Sequence, residues 1–142
     1  MQATNEIRPE GDNDTATILV AEDEVILRMM LSDHLRANKF HVLEAANGAE
    51  ARKIVVSVEH VDAVISDVHM AEEGEGILLA RWMGEHYPGI PVILTSGSHG
   101  VARARDWESS ANVKDFVPKP YSVEAMERLV RTRIASRDIS PK

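Results

Sequence analysis

The sequence contains no cysteine. Disulfides and thiol chemistry are excluded, and a reducing compartment is compatible. Positive charge is short, with 16 Lys and Arg against 23 Asp and Glu and a formal net charge of −7. That balance argues against duplex nucleic acid as a partner, because phosphate contacts need a basic surface. Aromatic residues make up 4% of the chain, and Trp82 and Trp107 read as packing residues rather than cofactor platforms. No apolar stretch approaches the ~20 residues of a membrane span, and residues 1–15 lack the apolar centre of a signal peptide. No internal repeat or low-complexity segment is present. The expectation is a cytoplasmic protein with neither a nucleic-acid nor a membrane partner.

What remains is ordinary soluble composition: 142 residues, 44% hydrophobic and 27% charged. That suffices for one domain with a core. Residues 1–15 read as a polar, net acidic, disordered tail. Residues 16–136 read as the domain and 137–142 as a short C-terminal tail.

Apolar runs and helical spacing alternate along the domain. Ile18 to Ala21 is a buried strand that runs into Glu22, Asp23 and Glu24. Leu27, Leu31 and Leu35 then recur at helical spacing, with Met30 and His34 expected on the same side. This helix stops near Asn38. Phe40 to Ala45 is a less apolar strand, placed nearer an edge. Asn47 is an N-cap candidate, and the helix after it presents Ala51, Ile54, Val55 and Val58. Ala63 to Asp67 is a third strand, rich in β-branched residues and ending in a carboxylate. Aspartate is a poor strand residue, so Asp67 marks where that strand is expected to emerge. A polar loop over 68–76 leads to a helix carrying Leu79, Trp82, Met83 and His86. Pro91 opens a fourth strand, Val92 to Thr95, and Ser96 and Gly97 break it. Residues 99–112 suggest a weak, mobile fourth helix. Phe116 and Val117 form a short fifth strand cut off by Pro118. Ser122 caps a last helix with Met126, Leu129, Val130 and Ile134 as its buried stripe.

Five strands alternating with five helices imply a parallel sheet with right-handed crossovers. In such a sheet all strand ends open on one edge, where ligands bind. Glu22 and Asp23, then Asp67, then Thr95, Ser96 and Gly97, then Lys119 all arrive there. Clustered carboxylates repel one another unless countercharge arrives. A hard cation with oxygen-only ligands, Mg²⁺, answers that need. A hydroxyl and a lysine beside a metal-bound carboxylate form a cradle for a phosphoryl group. The nucleophile is then a carboxylate and the product an aspartyl phosphate. Taken singly, Asp67 reads as a helix N-cap, and Glu22 and Asp23 as complements to a helix dipole. Their convergence favours the chemical reading. Thr95 and Ser96 compete for the hydroxyl role, since strand alternation lets only one face the site.

Four motifs carry a family resemblance: Leu19 to Glu24, Val64 to Met70, Pro91 to Gly97, and Phe116 to Tyr121. The chain resembles the receiver domain of bacterial two-component response regulators over residues 17–136. In detail it looks most like a branch of alphaproteobacterial stand-alone receivers. The resemblance implies a flavodoxin-like, doubly wound α/β (βα)5 fold with strand order 2-1-3-4-5. It implies that Asp67 is the phospho-acceptor and Lys119 its phosphate-pairing lysine. Asp23 matches a direct Mg²⁺ ligand, Glu22 a ligand acting through water, and the His69 backbone carbonyl a further metal contact. Ser96 matches the switch hydroxyl and Gly97 the small residue that leaves room for the phosphoryl group. Phe116 matches the aromatic whose rotamer follows the switch and repositions the fourth helix. The Lys119–Pro120 bond matches one that is usually cis.

The loop departs from the pattern. Ala71 stands where proline is usual, Glu72, Glu73 and Glu75 add negative charge, and the His69 side chain is expected to face the phosphoryl group and tune its loss. A histidine kinase or histidine phosphotransfer protein is the implied donor. Output is expected through protein contact or phosphate storage, by a monomer or weak homodimer. The fourth helix, fifth strand and fifth helix are the family's usual partner surface, although Arg128, Arg131, Arg133 and Arg137 also fit a solvated helix face. Two other readings stand beside this one: a degenerate receiver that signals by binding alone, and a Mg²⁺-dependent aspartyl-phosphate phosphatase. The expectation is not an enzyme in the ordinary sense, since only its own phosphorylation and dephosphorylation are catalysed.

Overall fold

The computed structural model describes residues 15–97 and 112–138. The expected N-terminal tail (save Thr15) and the expected helix over 99–112 (save Asn112) lie outside them. Among the described residues the order is β1 (Thr17–Ala21), α1 (Val25–Ala37), β2 (His41–Ala45), α2 (Gly48–Ser57), β3 (Ala63–Asp67), α3 (Glu75–His86), β4 (Val92–Ser96), β5 (Val113–Pro118) and α4 (Val123–Asp138). The strands form one parallel sheet in the order β2-β1-β3-β4-β5. This is the expected doubly wound topology.

Strand alternation divides the core between two faces. Leu19, Val64, Val92 and Leu94 pack with Ala51 and Val55 of α2 and Leu79 and Met83 of α3. Ile18, Val20, Ile65 and Ile93 pack with Leu31 and Leu35 of α1 and Met126 and Val130 of α4. Every residue of β3 is buried, because helices cover both faces of this central strand. The edge position of β2 agrees with its mixed composition.

Several local expectations are corrected. Met30 is exposed, and His34 is only half-buried. The buried ridge of α1 is Leu31, Ser32 and Leu35; Met30 lies about 100° round the helix from Leu31, on the side away from Ser32. His86, expected at the surface or partly packed, is exposed, its ring 5.1 Å from that of Trp82. Phe40 is buried but precedes β2, its N–H donating to the Leu35 carbonyl at the end of α1. β4 includes Ser96, and β5 starts three residues before Phe116. Lys114 and Asp115 hid that start. The register shifts there, with Val92 opposite Val113 but Ile93 opposite Asp115, so no two-residue period is legible. The last helix runs to Asp138, two residues past the expected boundary.

Candidate functional site

Each of three strands delivers an acid or a hydroxyl to the carboxyl edge of the sheet, and the turn after β5 delivers a lysine. Asp67 closes β3 and is buried, at 6% exposure. It does not emerge as expected, and it caps no helix, since α3 begins only at Glu75 behind the N-cap Gly74. A buried carboxylate needs a partner. Lys119 supplies it, with Nζ 2.9 Å from Asp67 Oδ2 and 3.0 Å from Glu22 Oε1. Asp67 Oδ1 accepts no hydrogen bond among the described residues.

The turn between β1 and α1 brings Glu22 and Asp23 alongside. One carboxylate oxygen each from Glu22, Asp23 and Asp67 lies within 4.8 Å of the others. Glu22 is buried and Asp23 exposed. Burial pushes the Glu22 carboxyl up to about 7, and the Asp67 charge adds to the effect. The Lys119 ammonium is disfavoured by burial, but its hydrogen bonds and charge contacts with Asp67 and Glu22 outweigh that and hold it up to about 12. Among the described residues one ammonium thus pairs with two of these three carboxylates. The remaining charge imbalance, with oxygen the only donor atom, fits a hard divalent cation.

The hydroxyl assignment rests on Ser96. It is fully buried at the end of β4, and its Oγ has no hydrogen-bond partner among the described residues. Its carbonyl accepts the Lys119 N–H at 2.7 Å, and it stands opposite Pro118 in the register. Ser96 and Lys119 are therefore backbone neighbours. Thr95 is equally buried but shares the Ile93 face by alternation and stands opposite Asp67. A Cβ added at Gly97 would meet none of the described residues within 4 Å. Phe116 is half-buried against the core cluster on the α2–α3 face, and the Lys119–Pro120 bond is cis.

His69 has a definite task in the loop after β3. Its Nδ1 accepts the Gly74 N–H at 2.9 Å, which leaves the proton of the neutral ring on Nε2. Of the acidic loop residues, Glu75 is not free charge. Its Oε2 accepts from the Gly48 N–H at 2.5 Å and its Oε1 from the Glu72 N–H at 3.2 Å. One carboxylate thus serves the first turns of both α2 and α3, where anions are stabilised. The proposed arginine face is also partly committed. Arg133 forms a two-pronged pair with Asp115 at 2.6 and 2.8 Å. Arg131 stacks over Phe40 at 4.6 Å and bonds the Asn38 carbonyl.

Three residues were not singled out from the sequence. Gly76 packs its backbone on the end of β3: its N–H donates to the Val68 carbonyl at 2.8 Å, and a Cβ there would stand 1.9 Å from the Asp67 carbonyl oxygen. Tyr121 is half-buried, its hydroxyl pushed up to about 12 by burial and by the Glu22 charge. Arg28 donates to the Glu22 carbonyl at 2.8 Å. Its place four residues after Glu24, one helical turn above the acidic turn, was the available signal.

Residues 18–131 match the response regulator receiver domain family. Over 125 residues, 87% of its length, the chain is 35% identical to the sensor kinase CckA of Brucella abortus, of which the match spans 13%. It is 30% identical over 74% of its length to the transcriptional regulatory protein SrrA of Staphylococcus aureus, of which the match spans 42%. The chain thus spans less than half of these relatives. A response regulator receiver protein from Sinorhizobium medicae is 25% identical, with a TM-score of 0.76 over 88% of this chain and 98% of that one. A receiver domain protein from Clostridium thermocellum shares the fold at a TM-score of 0.79 and 22% identity, over 87% of this chain and 98% of that one. Sequence match, strand order and the convergence on Asp67 agree, and the chain belongs to the response regulator receiver domains of two-component systems.

Proposed function

We propose that Asp67 accepts a phosphoryl group from a phosphohistidine on a histidine kinase or histidine phosphotransfer protein in the cytoplasm. The observation that carries this reading is the recessed Asp67 carboxylate, one oxygen held by Lys119 and the other without a partner among the described residues. Asp67 Oδ1 attacks phosphorus. The phosphorus–nitrogen bond breaks, its electron pair stays on the donor imidazole, and an acyl phosphate forms. The Lys119 ammonium, already within reach of Asp67, pairs with the new phosphoryl oxygens. The Ser96 hydroxyl, which lacks an acceptor among the described residues, donates to one of them. Asp23, Asp67, Glu22 and the His69 carbonyl would hold Mg²⁺. Bound there, the ion neutralises charge on the phosphoryl oxygens. His69 Nε2 would influence hydrolysis of the acyl phosphate. Ser96 and Phe116 would carry the change to a partner surface formed by residues 99–118 and α4. The chain acts on its own phosphate only, and its output is protein contact or phosphate storage.

Incubation with acetyl phosphate and Mg²⁺ tests this. The expected result is a labile mass gain of one phosphoryl group that disappears in Asp67→Asn. No gain with either acetyl phosphate or a phosphorylated kinase would leave a receiver that signals by binding alone. Steady turnover of a phosphate ester would instead make the chain a phosphatase.

A further inference from the structure

Asp23 is the exposed member of the carboxylate cluster, and nothing among the described residues holds its side chain. It makes no hydrogen bond or ion pair among the described residues. Its place beside Glu22 and Asp67 is therefore set by the backbone of the turn between β1 and α1. That backbone is fastened at a small number of points. The Glu22 N–H donates to the Ala45 carbonyl at 2.9 Å. The Glu24 N–H donates to Glu22 Oε2 at 3.1 Å. The Glu22 carbonyl, which belongs to the peptide plane leading into Asp23, accepts Arg28 Nη1 at 2.8 Å.

Arg28 is itself braced. Its Nε pairs with Glu44 Oε1 at 3.1 Å, and the other Glu44 oxygen pairs with Arg36 Nη1 at 2.9 Å. Arg36 Nη2 also bonds the Val42 carbonyl at 3.0 Å. The edge strand β2 thus holds a carboxylate between two arginines of α1. One of these reaches past it to the acidic turn. Glu44 balances the Arg28 charge, so the guanidinium acts there mainly as a directed donor. A planar fork can satisfy two partners at fixed angles, and an ammonium on a flexible stem cannot do so in the same way.

We infer that Arg28 is a positioning residue for the cation site: with Glu44 it locks the Glu22–Asp23 peptide so that the Asp23 carboxylate faces Glu22 and Asp67. The inference rests on the proposed cation-binding role for its consequence and on the hydrogen bonds for its geometry. Outer partners of metal ligands typically carry about 10- to 100-fold in affinity.

Arg28→Ala separates positioning from charge, because the two act in opposite directions. Removing a nearby positive charge draws a cation in, whereas releasing the turn weakens its site. The experiment measures Mg²⁺ affinity by calorimetry in wild type, Arg28→Ala and Arg28→Lys. It also measures amide exchange at Glu22 and Glu24 by NMR without metal. The expected result is Mg²⁺ affinity about 10-fold or more weaker in Arg28→Ala, only partly restored by Arg28→Lys, with faster exchange at both amides. Mg²⁺ binding in Arg28→Ala equal to or tighter than wild type, with unchanged exchange, overturns the inference. Should Arg28→Ala fail to fold, Arg28→Lys carries the same two readouts, and wild-type values in both would equally overturn it. If wild type binds no Mg²⁺, the cation reading falls, and the metal-free exchange still decides whether Arg28 holds the turn.

Discussion

Glycine to alanine inside a helix ordinarily stabilises it by about 1 kcal/mol. At Gly76, the second residue of α3, the sign should reverse. An alanine Cβ would stand 1.9 Å from the Asp67 carbonyl oxygen, 2.8 Å from its carbon and 2.9 Å from Val68 Cα, all backbone atoms of a buried strand end. No side chain can turn aside. The helix start must withdraw by roughly 1.5 Å to reach ordinary contact, which stretches the Gly76 N–H bond to the Val68 carbonyl. Overpacking of this kind costs about 1–3 kcal/mol, and the hydrogen bond about 1 more. Against the propensity gain, a net loss of about 1–3 kcal/mol is expected in urea unfolding, with unchanged m-value. Gly89→Ala is the control, since a Cβ there meets nothing within 4 Å. Withdrawal of α3 also drags on the Asp67 carbonyl, so the variant should accept phosphate from acetyl phosphate more slowly. A Gly76→Ala protein as stable as wild type would refute the close approach and the reasoning built on it.

The Glu22 carboxyl gives a pH prediction. Its folded pKa of about 7 lies above the ordinary 4.5, chiefly through burial and then through Asp67. Between these values the folded state binds more protons than the unfolded one, so this group lowers stability as pH rises from 4.5 to 7. Glu22→Gln should therefore raise the metal-free Tm at pH 8 and leave it nearly unchanged at pH 4.5; the same shift at both pH values would contradict the assignment. Lys39 has a left-handed φ of 76° just after α1, a conformation that costs a side-chain-bearing residue about 1 kcal/mol. Lys39→Gly should raise unfolding free energy by up to about 1 kcal/mol, read in the same urea titration.

Much of the site was legible because each buried strand stops at a change of chemistry. Apolar runs ending in Glu22 and Asp23, in Asp67 and in Ser96 announce both the strand and its outlet. Lys119 between two prolines was legible for a related reason, since its backbone has few alternatives. What stayed hidden depends on partners distant in the chain or on backbone atoms. Glu75 looked like surplus charge because Gly48, its partner, is 27 residues away. Arg28 looked like an ordinary helix residue because Glu44 and the Glu22 carbonyl define its role. Gly76 could be seen as a loop glycine, but not as the point where a helix touches the Asp67 peptide. The early part of β5 was obscured by the charged pair Lys114 and Asp115 together with a register shift that breaks the two-residue period.

The Ser96 hydroxyl, unpartnered among the described residues, has a consequence for how this position responds to selection. A buried hydroxyl without an acceptor costs about 1–3 kcal/mol, and alanine at this position would shed that cost. Pressure for a sturdier fold alone would therefore drift residue 96 toward alanine. Pressure to respond to a newly arrived oxygen anion would hold the serine. Position 96 is thus a place where thermal robustness and responsiveness pull in opposite directions, and a library screened first for one and then for the other should show the residue reversing its preference.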